Sequence, residues 1–164
     1  MAKNKEIKTN AMRILEKLNI EYKVMYYECD EFKDAIQIAD QLNLPYEKVY
    51  KTLVTMGNSK ECFVFVIPIH SELDLKKAAR SVGEKSLTMI PVRDIQNITG
   101  YIRGGCTAIG MKKQFVTRID RSAELLDRII VSGGKLGIQL ELKPADLAKA
   151  SQGVFDSVTT QEVL

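Results

Sequence analysis

A continuous apolar run constrains the fold of this 164-residue chain more than any other segment: Cys62-Phe63-Val64-Phe65-Val66-Ile67. Because no polar residue interrupts it, the run is typical of a strand that is covered on both faces. The preceding residues, Val49 to Met56, are also strand-like, and the turn Gly57-Asn58-Ser59-Lys60 separates the two segments. Two strands joined through a Gly-Asn turn predict a hairpin.

Helical and strand patterns are interspersed along the rest of the chain, with tight turns between them. Helices are predicted over residues 6–19, 33–42, 72–82 and 92–97 and after Pro144, and strands over residues 22–27, 86–90 and 114–119 and in a hairpin folded at Gly133-Gly134. A capping box, Ser71-Glu72-Leu73-Asp74, is expected to open the third helix, and Gly83 to end it. The last dozen residues are typical of a loosely held tail. These patterns predict one α+β domain with a mixed or largely antiparallel sheet.

Composition places the chain among soluble globular proteins, with 45% hydrophobic and 27% charged residues. No apolar run approaches the roughly 20 residues needed to cross a bilayer. The N-terminal segment leads into an amphipathic stretch and contains no signal-peptide core. We therefore expect a cytoplasmic protein without a membrane partner.

Cysteine and histidine are scarce. The three cysteines, Cys29, Cys62 and Cys106, are odd in number and far apart, and His70 is the one histidine. This count argues against a disulfide framework and against a protein-built metal site, so we expect no cofactor. The residue count does not exclude a nucleophilic Cys–His pair. Such a pair would require His70 to lie beside one of the three cysteines in the folded protein.

Positive charge is concentrated in the middle of the chain. Residues 51–121 carry twelve lysines and arginines against six acids, whereas the remaining residues carry twelve against fifteen. An anionic partner such as nucleic acid is therefore plausible, and a solvated surface is the simpler interpretation.

Four of the ten glycines fall within eleven residues, from Gly100 to Gly110, and Met111-Lys112-Lys113 follows them. Glycine accepts positive φ and lets another molecule approach the peptide N–H groups. The run therefore predicts either an ordinary pair of surface turns or a loop that holds a polar or anionic group.

Lys51 lies in the strand-like segment and shares a face with Val49 and Leu53. A lysine in this setting is either a gatekeeper on an edge strand or a charge held over a pocket. No pair of acids has a spacing that indicates acid–base catalysis, and nucleophile-elbow, Walker and Rossmann motifs are absent. Cys106 lies within the glycine run, where nothing nearby in sequence would lower its pKa, so we interpret it as a small hydrophobic residue.

Four motifs in order resemble the YbaK family of aminoacyl-tRNA deacylases, which is related to the editing domain of bacterial prolyl-tRNA synthetase. They are Lys51-Thr52-Leu53-Val54, Leu73-Asp74-Leu75-Lys76-Lys77-Ala78-Ala79, Gly100-Tyr101-Ile102-Arg103-Gly104-Gly105 and Ser132-Gly133-Gly134-Lys135. The resemblance runs from about residue 8 to residue 155. It implies a single editing domain over residues 1–164, with a core over about 6–155 and a curved sheet surrounded by helices.

The resemblance also implies a site. The family's catalytic lysine falls on Lys51, and the glycine whose backbone faces the scissile ester falls on Gly104 or Gly105. The substrate-binding positions fall on Tyr27 (Tyr26 under a one-residue slip), Thr52, Cys106, Thr107, Ala108 and Gly110. The N–H groups of Gly104 to Thr107 are expected to cradle the ester.

This chain departs from the family at two places. After Gly-Gly the family usually has x-Ser-Pro-x-Gly, whereas this chain has Cys106-Thr107-Ala108-Ile109-Gly110. An aspartate of some members is replaced by Gln139, so no acid is carried over there. The amino-acid preference of the pocket is therefore open.

The closest branch of the family hydrolyses Cys-tRNA(Pro), and its mechanism uses the thiol of the substrate. The resemblance thus implies a trans-editing enzyme that binds the acceptor end of aminoacyl-tRNA and associates with prolyl-tRNA synthetase. The alternatives are a deacylase for Ala- or Ser-charged tRNA, a non-catalytic tRNA- or synthetase-binding module, and a small-molecule binding domain that reuses the fold.

Overall fold

The computed structural model describes residues 8–160. Five helices are present in this range: α1 (Asn10–Lys17), α2 (Ala35–Gln41), α3 (Leu75–Val82), α4 (Ile95–Thr99) and α5 (Pro144–Ser151). The strands are β1 (Lys23–Tyr26), β2 (Tyr50–Gly57), β3 (Cys62–Pro68), β4 (Leu87–Met89), β5 (Val116–Asp120), β6 (Ile129–Ser132), β7 (Ile138–Leu142) and β8 (Val154–Asp156). The α+β prediction is confirmed, and residues 6 and 7 of the first predicted helix lie outside the described range.

The apolar run forms the middle of a five-stranded sheet with the order β4-β2-β3-β5-β8. Strand β3 is antiparallel to β2, as the Gly-Asn turn predicts, and parallel to β5. Phe65, Val66 and Ile67 are fully buried because both faces of this strand are covered. This sheet is mixed, since β5 and β8 also run parallel to each other.

A second sheet has three antiparallel strands in the order β1-β7-β6. The hairpin of β6 and β7 folds at the predicted Gly133-Gly134 turn. A single parallel bridge between Val49 and Ile130 connects the two sheets just before β2 begins. The sequence indicated one sheet, because the patterns of short strands do not specify which strands pair.

Local signals set the ends of two helices. Pro144 occupies the first turn of α5, where its missing N–H leaves no bond unmade. Gly83 ends α3 with a φ of 75°, in the left-handed region that favours glycine. The start of α3 differs from the prediction: Asp74 caps it by accepting bonds from the N–H groups of Lys76 and Lys77, at 3.0 and 3.1 Å. Residues 72–74 are not helical because Leu73 forms a bridge with Thr159.

The prediction of a loosely held C-terminal tail is wrong as far as residue 160. Residues 154–156 form β8, and Val158 is fully buried. The carboxylate of Asp120 accepts hydrogen bonds from the Val158 N–H at 3.1 Å and the Thr159 hydroxyl at 3.3 Å. The tail is held by contacts with distant residues, which its own composition does not indicate.

Across the range that the structure describes, no helix has both the length and the apolar character required to cross a membrane.

Candidate active site

A cavity of about 290 Å³ opens where the start of β2, the N-terminal end of α2 and the glycine run meet. Its walls combine apolar side chains with a few polar and charged ones. The lining residues are Phe32, Lys33, Asp34, Ala35, Ile38, Val49, Tyr50, Lys51, Thr52, Leu53, Arg103, Gly104, Cys106, Ser132 and Gln139. Four of the sequence-predicted site residues therefore meet here: Lys51, Thr52, Gly104 and Cys106.

Lys51 lies on the wall of this cavity together with Val49 and Leu53, as the strand alternation predicts. Strand β4 pairs with β2 at Thr55–Gly57 and not at Lys51, which has its ladder partner on β3. The Lys51 side chain lines the cavity, and this favours the interpretation of a charge held over a pocket. The Lys51 ammonium donates a hydrogen bond to the Ile69 carbonyl at 3.3 Å. Burial lowers the pKa of Lys51, and the charges of Glu72 and Asp34 partly oppose that shift. The side chain is thus a half-buried cation inside a largely apolar cavity.

The first half of the glycine run reaches the cavity. Gly104 has a φ of 88°, and a side chain there would lie 2.7 Å from Leu136 and 3.2 Å from the ring of Phe32. The guanidinium of Arg103 stacks over that ring, 4.0 Å from its centroid. Within the described residues, the N–H groups of Gly104 and Cys106 have no hydrogen-bond acceptor. Both residues line the cavity, so these two N–H groups are the candidate donors to a bound ligand.

Gly105 has a different environment. Its N–H donates to the Ile102 carbonyl at 3.0 Å, so it is not available as a cradle donor. A side chain at Gly105 would meet the backbone of Lys135 at 3.0 Å. This glycine lets the run pack against the turn between β6 and β7.

The second half of the run turns away from the cavity. Thr107 and Ala108 are buried, and neither lines the cavity. The Gly110 carbonyl accepts a hydrogen bond from the Asn10 amide at 2.9 Å. This half is therefore packed against α1.

Tyr27 lies beside the cavity and does not line it. It borders a neighbouring pocket of about 200 Å³, which is also lined by Tyr26, Cys29, Lys135, Leu136, Gly137 and Ile138. The Tyr27 hydroxyl is buried and has no hydrogen-bond partner among residues 8–160. Burial raises the pKa of this phenol, so the hydroxyl stays protonated at neutral pH.

Several cavity residues were not predicted as site residues from the sequence. Ser132 and Gln139 are register partners on β6 and β7 and line the cavity side by side. Phe32, Asp34 and Arg103 contribute at the opening. The sequence carried signals for four of them: Arg103 and Ser132 lie within the family motifs, Gln139 stands where some members have an aspartate, and Asp34 is a polar residue before an apolar helix pattern. Phe32 had no such signal.

Neither Cys106 nor His70, the two residues considered as a nucleophilic pair, has the properties of a nucleophile at this site. Burial raises the pKa of the Cys106 thiol to about 11, so it stays protonated at neutral pH. His70 is exposed and does not line the cavity. In the described part of the chain, no cluster of three or more His, Cys, Asp or Glu side chains could hold a metal ion.

We compared the sequence and the fold with those of known proteins. The model of the aminoacyl-tRNA editing domain matches residues 29–150. A protein of Enterococcus faecalis with the provisional name Cys-tRNA(Pro)/Cys-tRNA(Cys) deacylase EbsC is 44% identical over 164 residues, covering 99% of this chain and 100% of the relative.

Two solved structures share the fold at low identity. The hypothetical protein APE2540 has a TM-score of 0.84 and 18% identity, covering 92% of this chain and 99% of its own. A protein described provisionally as a trans-editing enzyme for prolyl-tRNA synthetase has a TM-score of 0.77 and 18% identity, covering 95% and 100%. Since the family model spans most of the chain and the relative spans nearly all of it, this protein belongs to the aminoacyl-tRNA editing domain family.

Proposed function

We propose that this protein hydrolyses the ester of mischarged aminoacyl-tRNA, with Cys-tRNA(Pro) as its preferred substrate. The observation that carries this proposal is the meeting of Lys51 with the Gly104 and Cys106 backbone in one cavity of about 290 Å³. A space of this size admits a small aminoacyl group and part of the terminal ribose. The name of the 44% identical relative supports the same substrate class.

Two groups of the protein act on the ester. The unpaired N–H groups of Gly104 and Cys106 stabilise the oxyanion that develops on the ester carbonyl; such donors are worth roughly 3–4 kcal/mol each. Lys51 supplies a positive charge for the terminal phosphate or ribose. Thr52 lines the wall beside it. Gly105, Thr107, Ala108, Gly110 and Tyr27 do not line the cavity, so we assign them no direct role in the reaction.

The substrate supplies the nucleophile. The cysteinyl thiol attacks its own ester carbonyl, a C–S bond forms, the C–O bond to the ribose breaks, and the thiol proton passes to the departing ribose oxygen. The products are a cyclic thiolactone and uncharged tRNA. Because both reacting groups belong to one bound molecule, positioning alone contributes several kcal/mol. This chemistry is consistent with a protonated Cys106 and with an exposed His70 that does not line the cavity.

We further propose prolyl-tRNA synthetase as the partner that presents the tRNA. Cysteine and proline differ too little in size for one pocket to reject either strongly, so a synthetase of this kind benefits from separate editing. The name of one structural relative, which mentions this synthetase, supports the idea. A deacylation assay with and without the synthetase tests it: stimulation specific to tRNA(Pro) supports the partnership, and equal rates contradict it.

The decisive experiment on the reaction compares Lys51→Ala with Lys149→Ala, which changes an exposed lysine on α5. We expect Lys51→Ala to abolish hydrolysis of Cys-tRNA(Pro) while the circular dichroism spectrum is retained, and Lys149→Ala to keep wild-type activity. A wild-type rate in Lys51→Ala would contradict the assignment of Lys51 to the active site.

A panel of Cys-, Ala- and Ser-charged tRNAs separates the alternatives. Alanine has no thiol, so its ester requires an external water, and hydrolysis of Ala-tRNA at the higher rate would favour a general deacylase. Salt-sensitive tRNA binding without hydrolysis of any substrate would favour a binding module.

A further inference from the structure

One carboxylate lines a cavity whose other charged residues are cations. Among the described lining residues, Lys33, Lys51 and Arg103 are basic and Asp34 is the one acid. No ion pair joins Asp34 to any of them in the described chain. The ammonium of Lys33 instead bonds the Glu28 carbonyl at 3.3 Å, and Arg103 stacks on Phe32.

The position of this carboxylate is set by the start of α2. Asp34 caps the helix, and its Oδ1 accepts a hydrogen bond from the Gln37 N–H at 2.8 Å. The Asp34 N–H in turn donates a hydrogen bond to the Gln37 side-chain oxygen at 3.0 Å, and the two bonds together form a capping box. Oδ2 of Asp34 has no hydrogen-bond donor within residues 8–160. One oxygen therefore holds the side chain in place, and the other has no donor, on a residue that lines the cavity.

An aminoacyl ester brings its own positive charge into such a site. Its α-amino group, one carbon from the scissile carbonyl, is partly protonated near neutral pH, and Lys51 repels the protonated form. The cavity needs a fixed anion if it is to bind both the ester and this ammonium group. Ser132 and Gln139 are neutral, so they cannot fill that role.

We propose that the free carboxylate oxygen of Asp34 binds the α-ammonium group of the aminoacyl ester, and that it thereby selects substrates with an unblocked amino group. The inference rests on the proposed function. It assigns the anion of the site to the start of α2. Binding at this point orients the α-carbon and places the substrate thiol near its carbonyl. Esters with an acylated amino group, such as peptidyl-tRNA, lose the charge pair and are spared.

The test uses Asp34→Asn, because asparagine caps helices about as well as aspartate and removes only the charge. Asp74→Asn is the matched control: Asp74 caps α3 in the same way and does not line the cavity. The substrates are Cys-tRNA and 3-mercaptopropionyl-tRNA, which keeps the thiol and lacks the amino group. Thermal unfolding of both variants checks that the fold is retained.

We expect the wild-type enzyme and Asp74→Asn to prefer the cysteinyl substrate by about tenfold in kcat/KM, a size typical of an exposed charge-assisted hydrogen bond. Asp34→Asn should lose that preference, mainly through a higher KM for Cys-tRNA, and leave the deaminated substrate nearly unchanged. An undiminished preference in Asp34→Asn would overturn the inference. An equal loss on both substrates would also overturn it and would point to an indirect effect through Lys51. Wild-type enzyme that hydrolyses neither substrate would instead overturn the proposed function and the inference with it.

Discussion

The two halves of the glycine run look alike in sequence and differ in the folded protein. In the first half, Gly104 borders the cavity and is partly accessible, and its N–H is unpaired among the described residues. In the second half, Gly110 packs on α1, where a side chain would come within 2.6 Å of Asn10 and Ile14. Both glycines have a positive φ, at 88° and 77°.

This difference shows that the same residue type serves two purposes within eleven residues. Gly104 leaves space for a ligand at a cavity, whereas Gly110 leaves space for a helix of the protein itself. We therefore expect changes at Gly104 to affect activity more than stability and changes at Gly110 to do the opposite.

The largest effect is expected for Gly104→Ala. The new methyl group would enter the cavity wall against Leu136 and Phe32, whose side chains can move at moderate cost. A displacement of the backbone donors by about 1 Å reduces a rate by roughly 100-fold. We expect kcat/KM for Cys-tRNA(Pro) to fall by about that factor. The left-handed alanine also costs about 1–2 kcal/mol, so the Tm should decrease as well. Full activity in Gly104→Ala would show that the Gly104 backbone does not act in the reaction.

Gly110→Ala should show the opposite profile. A left-handed alanine costs about 1–2 kcal/mol, and overpacking against α1 adds about 1–3 kcal/mol. We expect the free energy of unfolding, measured by urea denaturation, to decrease by about 2–5 kcal/mol. The activity per folded molecule should stay near that of the wild type at low temperature. Loss of activity without loss of stability would contradict the comparison.

The smallest effect on the reaction is expected for Cys106→Ala. Since burial raises the thiol pKa to about 11, the reactive thiolate is scarce at neutral pH and grows as the pH approaches that value. Deacylation should stay within about twofold of the wild type. Iodoacetamide, followed by mass spectrometry, should label Cys106 slowly in the folded protein near pH 7.5 and faster in denaturant. Loss of deacylation in Cys106→Ala would restore this thiol as a candidate nucleophile.

Predictions from the sequence succeeded where neighbouring residues carry the signal. The Gly-Asn turn and the apolar run placed the β2–β3 hairpin, and Pro144 placed the start of α5. The alternation around Lys51 placed its side chain on the same face as Val49 and Leu53. Each of these features depends on backbone preferences or periodicity within a few residues.

Predictions failed where distant residues decide the structure. The start of α3 was placed too early because the bridge from Leu73 to Thr159 spans most of the C-terminal half of the chain. The C-terminal segment was expected to be loose, and Asp120 holds it through two hydrogen bonds. Neither contact can be predicted from the residues near it in sequence, because each joins segments that are far apart in the chain.

The sequence by itself determined the α+β class, the main hairpins and the family, because turn residues, periodicity and ordered motifs are local properties of the chain. Only the tertiary structure decided which half of the glycine run faces the cavity, and that Asp34 of α2 shares this cavity with Lys51 of β2. The physical reason is that a cavity forms between elements that are far apart in sequence. Its charges and free N–H groups therefore depend on how those elements pack, which no single segment specifies.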